Sequence, residues 1–255
     1  MTVFSPDALD GRTALVTGAS RGIGSHIAQS FAACGADVIV TARSIEPLEE
    51  LAEQIRALGR TCTVVAADML DESAPTTITE AAMAAHGRID VLVNNAGGNS
   101  FMSPVQTMRP SGWRKTLALN LDAIFALTQG VIPHMPTGGS IINVASVAGL
   151  RGSPLMAHYG AAKAALISFT ASLALELASN GVRVNALVPG WIETDLTDFL
   201  RGDAATEAGV LSRVPLGRWG TSAEIADGAL FLATAASSFM TGQTLIMDGG
   251  LSAMP

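Results

Sequence analysis

The feature that most constrains this chain is a regular alternation of short β-branched runs with longer helical stretches. The runs are Thr13 to Thr17, Val38 to Thr41, Thr63 to Ala66, Ile89 to Val93, Ile141 to Ala145, Val182 to Val188 and Thr244 to Met247. Helical periodicity fills most of the gaps, near Ile23 to Ala33, Glu46 to Leu58, Ala74 to His86, Ser111 to Ile132, Ala157 to Ser179 and Ala223 to Ala235. Runs that are apolar throughout imply strands buried on both faces, and intervening helices imply right-handed crossovers between parallel neighbours. The expectation is an α/β fold: a doubly wound sheet of seven mostly parallel strands with helices on both faces, forming a single domain over residues 1–255.

Ligands of such sheets bind outside the carboxyl ends of the strands. The functional loops are therefore expected to begin at Gly18, Ala42, Ala67, Asn94, Ser146 and Pro189. One segment breaks the rhythm: residues 193–213, rich in Asp, Thr and Gly, delay the last helix and form a candidate substrate lid.

Thr17-Gly18-Ala19-Ser20-Arg21-Gly22-Ile23-Gly24 closes the first strand and opens the first helix. Glycines here permit a tight turn and a close approach of backbone to a pyrophosphate, whose charge is favoured at a helix N-terminus. The T-G-x-x-x-G-x-G spacing resembles the short-chain dehydrogenase/reductase family. Asn94-Asn95-Ala96-Gly97 is similar to its N-N-A-G loop, Tyr159 to Lys163 to its Y-x-x-x-K, and Pro189-Gly190 to its P-G turn. The resemblance covers nearly the whole chain. It implies a Rossmann-type fold and a nicotinamide cofactor contacted by Gly18, Ser20, Arg21, Gly22, Ile23, Gly24, Arg43, Asp68, Asn94, Ala96, Gly97, Tyr159, Lys163, Pro189, Gly190, Ile192 and Thr194. Within that set it assigns Asp68 to the adenine, Asn94 to the adjoining ribose and Thr194 to the nicotinamide amide.

Cofactor choice turns on the end of the second strand, where an acid would bind a ribose 2′-hydroxyl and repel a 2′-phosphate. The chain reads Val40-Thr41-Ala42-Arg43 there, with no acid. Arg43 and Arg21 can pair with a phosphate from two sides, and these positions resemble the NADP-preferring pattern. NADP(H) is the expected cofactor, with NAD(H) the alternative.

Tyr159, the only tyrosine, and Lys163 lie four apart in a helical pattern and share a face. A phenol is a poor base at neutral pH, and a nearby ammonium stabilises its phenolate. The pair can thus donate a proton to a carbonyl oxygen or take one from an alcohol. Ser146 ends the fifth strand, where a hydroxyl can hydrogen-bond the reacting oxygen. Asn120 falls midway along the fourth connecting helix, where an amide is unfavourable by propensity; by resemblance it holds a water linking Lys163 to solvent. The resemblance makes Asn120, Ser146, Tyr159 and Lys163 the catalytic set. His158 is expected at the surface or an interface.

A net charge of −7, with fifteen Lys and Arg scattered along 255 residues, leaves no basic stripe for nucleic acid. Cys34 and Cys62 fall in elements expected to be buried, with no disulfide framework, ligand pair or metal site implied. Met1 to Asp10 lacks a basic and an apolar region, so the expected location is the cytoplasm. Polar interruptions in Ala161 to Ala178 favour a core or interface helix over a membrane span.

The expected partners are a small carbonyl or alcohol substrate and, by resemblance, further copies in a homotetramer. Ala161, Ala164, Ala165, Ser168, Ala171 and Ser172 would leave room for close helix approach. The substrate side offers Gly98, Asn99, Leu150, Arg151, Ser153, Met156 and Trp191. Ile192-Glu193-Thr194-Asp195 and Asp248-Gly249-Gly250 are similar to 3-oxoacyl-carrier-protein reductases, but the positions matching their carrier-binding basic residues are Pro133 and Asn180. Gly217-Arg218-Trp219-Gly220 is similar to sugar and polyol dehydrogenases. A dinucleotide sensor without catalysis is the least favoured reading, because the catalytic set is complete.

Overall fold

The computed structural model describes residues 4–195 and 197–254; Met1 to Val3 of the N-terminal stretch, Leu196 of the candidate lid and Pro255 lie outside the described residues. Seven strands, β1 (Thr13–Thr17), β2 (Asp37–Ala42), β3 (Cys62–Ala66), β4 (Val91–Asn94), β5 (Ser140–Val144), β6 (Arg183–Pro189) and β7 (Thr244–Met247), form one sheet in the order β3-β2-β1-β4-β5-β6-β7. Every adjacent pair is parallel, so "mostly parallel" becomes wholly parallel. The winding reverses between β1 and β4, the switch point where a crevice opens.

The helices are α1 (Gly22–Ala33), α2 (Glu46–Ala57), α3 (Ala74–His86), α4 (Pro110–Leu117), α5 (Ala123–Val131), α6 (Ala157–Leu177), α7 (Asp198–Arg201), α8 (Ala204–Leu211) and α9 (Ser222–Ala233). Side-chain alternation along β1 shows how they sort. Ala14 and Val16 point into a core with Ile27 and Phe31 of α1, Leu48 and Leu51 of α2 and Ile225 and Leu230 of α9. Leu15, between them, points into the opposite core with Ile78 of α3, Leu127 of α5 and Leu173 of α6. β1 is buried along its whole length, which is why it reads as an uninterrupted apolar run.

Two departures matter for the site. The single helix expected over Ser111 to Ile132 is interrupted: Ala118–Asp122 form a wider π turn between α4 and α5, with Asn120 at its centre. The segment 193–213 is not an irregular loop but carries the short helices α7 and α8. Asp203 caps α8 by accepting from Thr206 N at 2.8 Å, and Thr221 forms a reciprocal capping box with Glu224 on α9.

Pro110–His134 and Ala157–Asn180 are long and apolar enough, at mean hydropathies of 1.3 and 1.4, to pass for membrane spans. Both pack one face on the sheet, and their outer faces expose Phe125 and Leu175.

Candidate active site

The crevice is built where β1 and β4 diverge. Thr17 Oγ1 accepts from the backbone N–H groups of Asn95 and Ala96 at 3.0 and 2.9 Å. Asn95 in turn donates its side-chain amide to the carbonyls of Thr17 and Gly18. These bonds draw the two turns together so closely that a Cβ on Gly18 would stand 2.9 Å from Ala96 Cα and one on Gly24 2.5 Å from Asn95 Nδ2, while within the first turn the Gly24 Cβ would also meet the Gly18 carbonyl oxygen at 2.3 Å. The glycines are required by contact, and Gly18 also by its φ of 64°.

Helix α1 begins at this turn with neither a side-chain cap nor an acidic residue in its first turn. Its leading N–H groups and positive dipole end face the cleft, which suits a diphosphate. A cleft of about 610 Å³ runs from there past Ala96 and Gly97, Ser146, Tyr159, Lys163, Pro189 and Gly190 to Ile192 and Thr194. Thr194 packs its methyl over Gly22, 3.4 Å from where a Cβ would be. The residues present therefore fit a dinucleotide.

A second close approach sets the catalytic groups. Ser146 follows β5 and accepts from Ala148 N at 3.2 Å, starting a tight turn over Val147–Gly149. That turn lies on α6, since a Cβ on Gly149 would stand 2.7 Å from Lys163 C and one on Gly160 2.8 Å from Ala148 O. Ser146 is thereby brought beside Tyr159, and its hydroxyl works against the rise in the phenol's pKa.

Burial nonetheless pushes Tyr159 up to about 12 and Lys163 down to about 8, each favouring the neutral form. Lys163 Nζ donates to the Val144 carbonyl at 2.8 Å and lies 5.7 Å from the centre of the Tyr159 ring. Asn120, fully buried, accepts from Gly98 N at 2.9 Å and donates to the carbonyls of Gly98 and Thr116, both at 3.0 Å. The π turn carries it against Gly97 on the same side as Lys163 Nζ, and such local widening recurs at functional sites.

Several sequence expectations are met differently. Asn94 does not turn its side chain to the cleft: Nδ2 donates to Thr128 Oγ1 at 2.9 Å and Asn143 Oδ1 at 2.8 Å, tying β4 to α5 and β5 inside the fold. Its neighbour Asn95 lines the cleft instead. Ser20 lies on the glycine turn but outside the cleft lining, and Asp68 is exposed, accepting from Leu70 N at 3.0 Å as a turn aspartate does. Arg43 is exposed beyond β2, while Arg21 reaches across the cleft to Asp195 at 2.9 Å.

His158 is not at the surface. It is fully buried, its ring stacked on Phe101 at 4.2 Å and its Nε2 hydrogen-bonded with Asn99 Oδ1 at 2.9 Å. The loop after β4 folds back over the start of α6, a contact that helical periodicity alone does not reveal. Burial lowers its pKa.

Of the substrate-side residues, Gly98, Asn99, Arg151, Ser153, Met156 and Trp191 line the cleft, and Leu150 does not. Met102 and Leu155 join them without a sequence signal, and Leu200, Val210 and Arg213 join them from the candidate lid. Trp219 anchors the 193–213 segment by donating its indole N–H to Glu207 on α8 at 2.8 Å and meeting Trp191 edge-on.

Residues 18–252 match a family described as enoyl-(acyl carrier protein) reductase. The 3-oxoacyl-acyl-carrier-protein reductase of Thermotoga maritima is 41% identical over 245 residues, covering 95% of this chain and 98% of its own length. That of Escherichia coli K12 is 40% identical over 247 residues, with coverage of 95% and 98%. Among solved structures, a gluconate 5-dehydrogenase from Burkholderia cenocepacia in complex with NADP and tartrate is similar at a TM-score of 0.92 and 37% identity, covering 98% of this chain and 99% of that one. A short-chain type dehydrogenase/reductase from Mycobacterium marinum gives 0.90 and 32%, with 98% of each chain covered. This chain belongs to the short-chain dehydrogenase/reductase family of dinucleotide-dependent oxidoreductases.

Proposed function

We propose that the chain is an NADP(H)-dependent carbonyl reductase, working in reverse on secondary alcohols, with Tyr159 as the acid-base group. The observation that carries this reading is the convergence of Ser146, Tyr159 and Lys163 on one end of the cleft whose other end is the uncapped start of α1. The dinucleotide, when bound, supplies the hydride. Ser146 hydrogen-bonds the substrate oxygen and stabilises its developing charge. Tyr159 transfers its phenolic proton to that oxygen, and the Lys163 cation stabilises the phenolate left behind. Asn120 positions the Gly97–Gly98 backbone beside Lys163 through its hydrogen bonds to the Gly98 N–H and carbonyl.

Arg43 and Arg21 are assigned to the 2′-phosphate, Arg21 by exchanging its exposed ion pair with Asp195 for the phosphate; the NADP held by the Burkholderia gluconate 5-dehydrogenase supports NADP(H) as the cofactor. Segment 193–213 acts as the substrate lid. The exposed apolar residues Phe125 on α5 and Leu175 on α6 support burial of these helices in a homotetramer, and the enzyme is assigned to the cytoplasm. The test is NADPH consumption against a panel of ketones. Turnover with NADPH preferred over NADH is expected, and ketone-independent oxidation alone would overturn the reading.

A second reading, 3-oxoacyl-carrier-protein reductase, is favoured by the two 3-oxoacyl reductases at about 40% identity. Against it, an acidic chain with Pro133 and Asn180 at the candidate docking positions offers no charge complementarity to an acidic carrier. Comparing carrier-bound and free 3-oxoacyl thioesters separates the two.

A further inference from the structure

Leu155 has a φ of 65°, the single positive value outside glycine among the described residues. A Cβ in that region crowds its own backbone, so the conformation persists only where surroundings impose it. Here the Leu155 carbonyl accepts from the Ser103 N–H at 2.9 Å, and the Met156 N–H turns back to the Ser153 carbonyl at 3.1 Å. The loop that carries Ser103 is clamped a second time, through the Phe101–His158 stack and the Asn99–His158 hydrogen bond. Two loops at the mouth of the cleft are thus locked together through the backbone of Leu155.

A glycine would meet the demands of that backbone without strain. The same loop does carry a glycine, Gly152, where a Cβ would meet nothing within 4 Å and φ is not positive. Backbone geometry therefore does not account for a leucine at 155. Its side chain, 43% exposed, lines the cleft together with Met102, Met156, Trp191 and Val210.

We propose that Leu155 is a specificity-determining residue, held under strain to present an apolar wall to a substituent on the reacting carbonyl. The substrate class is then a ketone bearing an alkyl or other apolar group, rather than a polyhydroxylated sugar acid. The inference rests on the carbonyl-reductase reading above and deepens it.

The test compares NADPH-dependent reduction of ethyl acetoacetate and ethyl butyrylacetate, which place a methyl or a propyl group on the reacting carbonyl, with ketogluconate as the polar competitor. Wild type is expected to favour the propyl ketone, and Leu155→Gly to lower the propyl-to-methyl ratio of kcat/KM about tenfold through KM, the amount two buried methylenes contribute. Leu155→Ala should move the ratio the same way. Leu155→Gly should also melt no lower than wild type, because the left-handed strain is gone. An unchanged ratio in both variants, a uniform loss of kcat on both esters, or a wild-type preference for ketogluconate would each overturn the role given to Leu155. Absence of turnover on all three by wild type would instead overturn the carbonyl-reductase reading, and this inference with it.

Discussion

Lys163 is held one helical turn from Tyr159, 5.7 Å from the ring centre, by a strand: its ammonium donates to the Val144 carbonyl at 2.8 Å. A carbonyl fixes the position of the cation without neutralising it, so its charge remains available to the phenol. The cost is burial of that charge, which brings Lys163 down to about 8, while burial of the phenol itself brings Tyr159 up to about 12.

The pH dependence follows with opposite signs for activity and stability. Below about pH 8 Tyr159 carries its proton and Lys163 its charge, the state required for reduction. Reduction should fall as pH rises through about 8, when Lys163 loses the charge that would stabilise the phenolate. Stability from the same group moves the other way. Between about 8 and the ordinary lysine value of 10.5 the unfolded chain binds the extra proton, so unfolding becomes harder as pH rises. Rate profiles and urea titrations across this window should diverge for wild type, and Lys163→Met should lose that group's part of the stability slope.

The support behind Lys163 is equally specific. A methyl on Gly97 would stand 2.7 Å from Asn120 Oδ1 and 3.4 Å from Lys163 Nζ. Gly97→Ala should lower kcat about a hundredfold by displacing these groups, with a stability loss of about 1–3 kcal/mol. Asn120→Ala, which strands the Gly98 N–H and carbonyl, should cost a similar amount in thermal unfolding. Wild-type turnover in both variants would contradict the positioning role.

Cofactor preference should reside in Arg43, which is exposed at the end of β2. Arg43→Ala is expected to weaken NADPH binding about tenfold to a hundredfold while NADH binding holds, as loss of a charge-assisted phosphate contact requires. Fluorescence titration measures both. Equal weakening of the two cofactors would remove the arginine from 2′-phosphate recognition.

Much of the architecture was legible because β1 and its neighbours are buried on both faces and leave uninterrupted β-branched runs. Glycine spacing likewise exposes the β1–α1 turn, because contact forbids any side chain at Gly24. What stayed hidden depends on segments remote in sequence meeting in space. The burial of His158 follows from Phe101 folding back over α6, and the inward turn of Asn94 from Thr128 and Asn143 waiting for it. The π turn at Asn120 adds a residue to a helix whose apolar pattern still reads as α. Leu155 has no local signal at all: leucine is a residue one does not expect at positive φ.

The central claim is that the Tyr159 phenol moves the proton. It is tested most directly by steady-state reduction of an accepted ketone with NADPH, wild type against Tyr159→Phe, together with a cofactor titration of both. The account predicts that Tyr159→Phe still binds NADPH, weakened by no more than the loss of one hydrogen bond, about tenfold, and loses kcat by about a hundredfold to ten-thousandfold, the usual contribution of a positioned general acid. Equal kcat in the two proteins would contradict it.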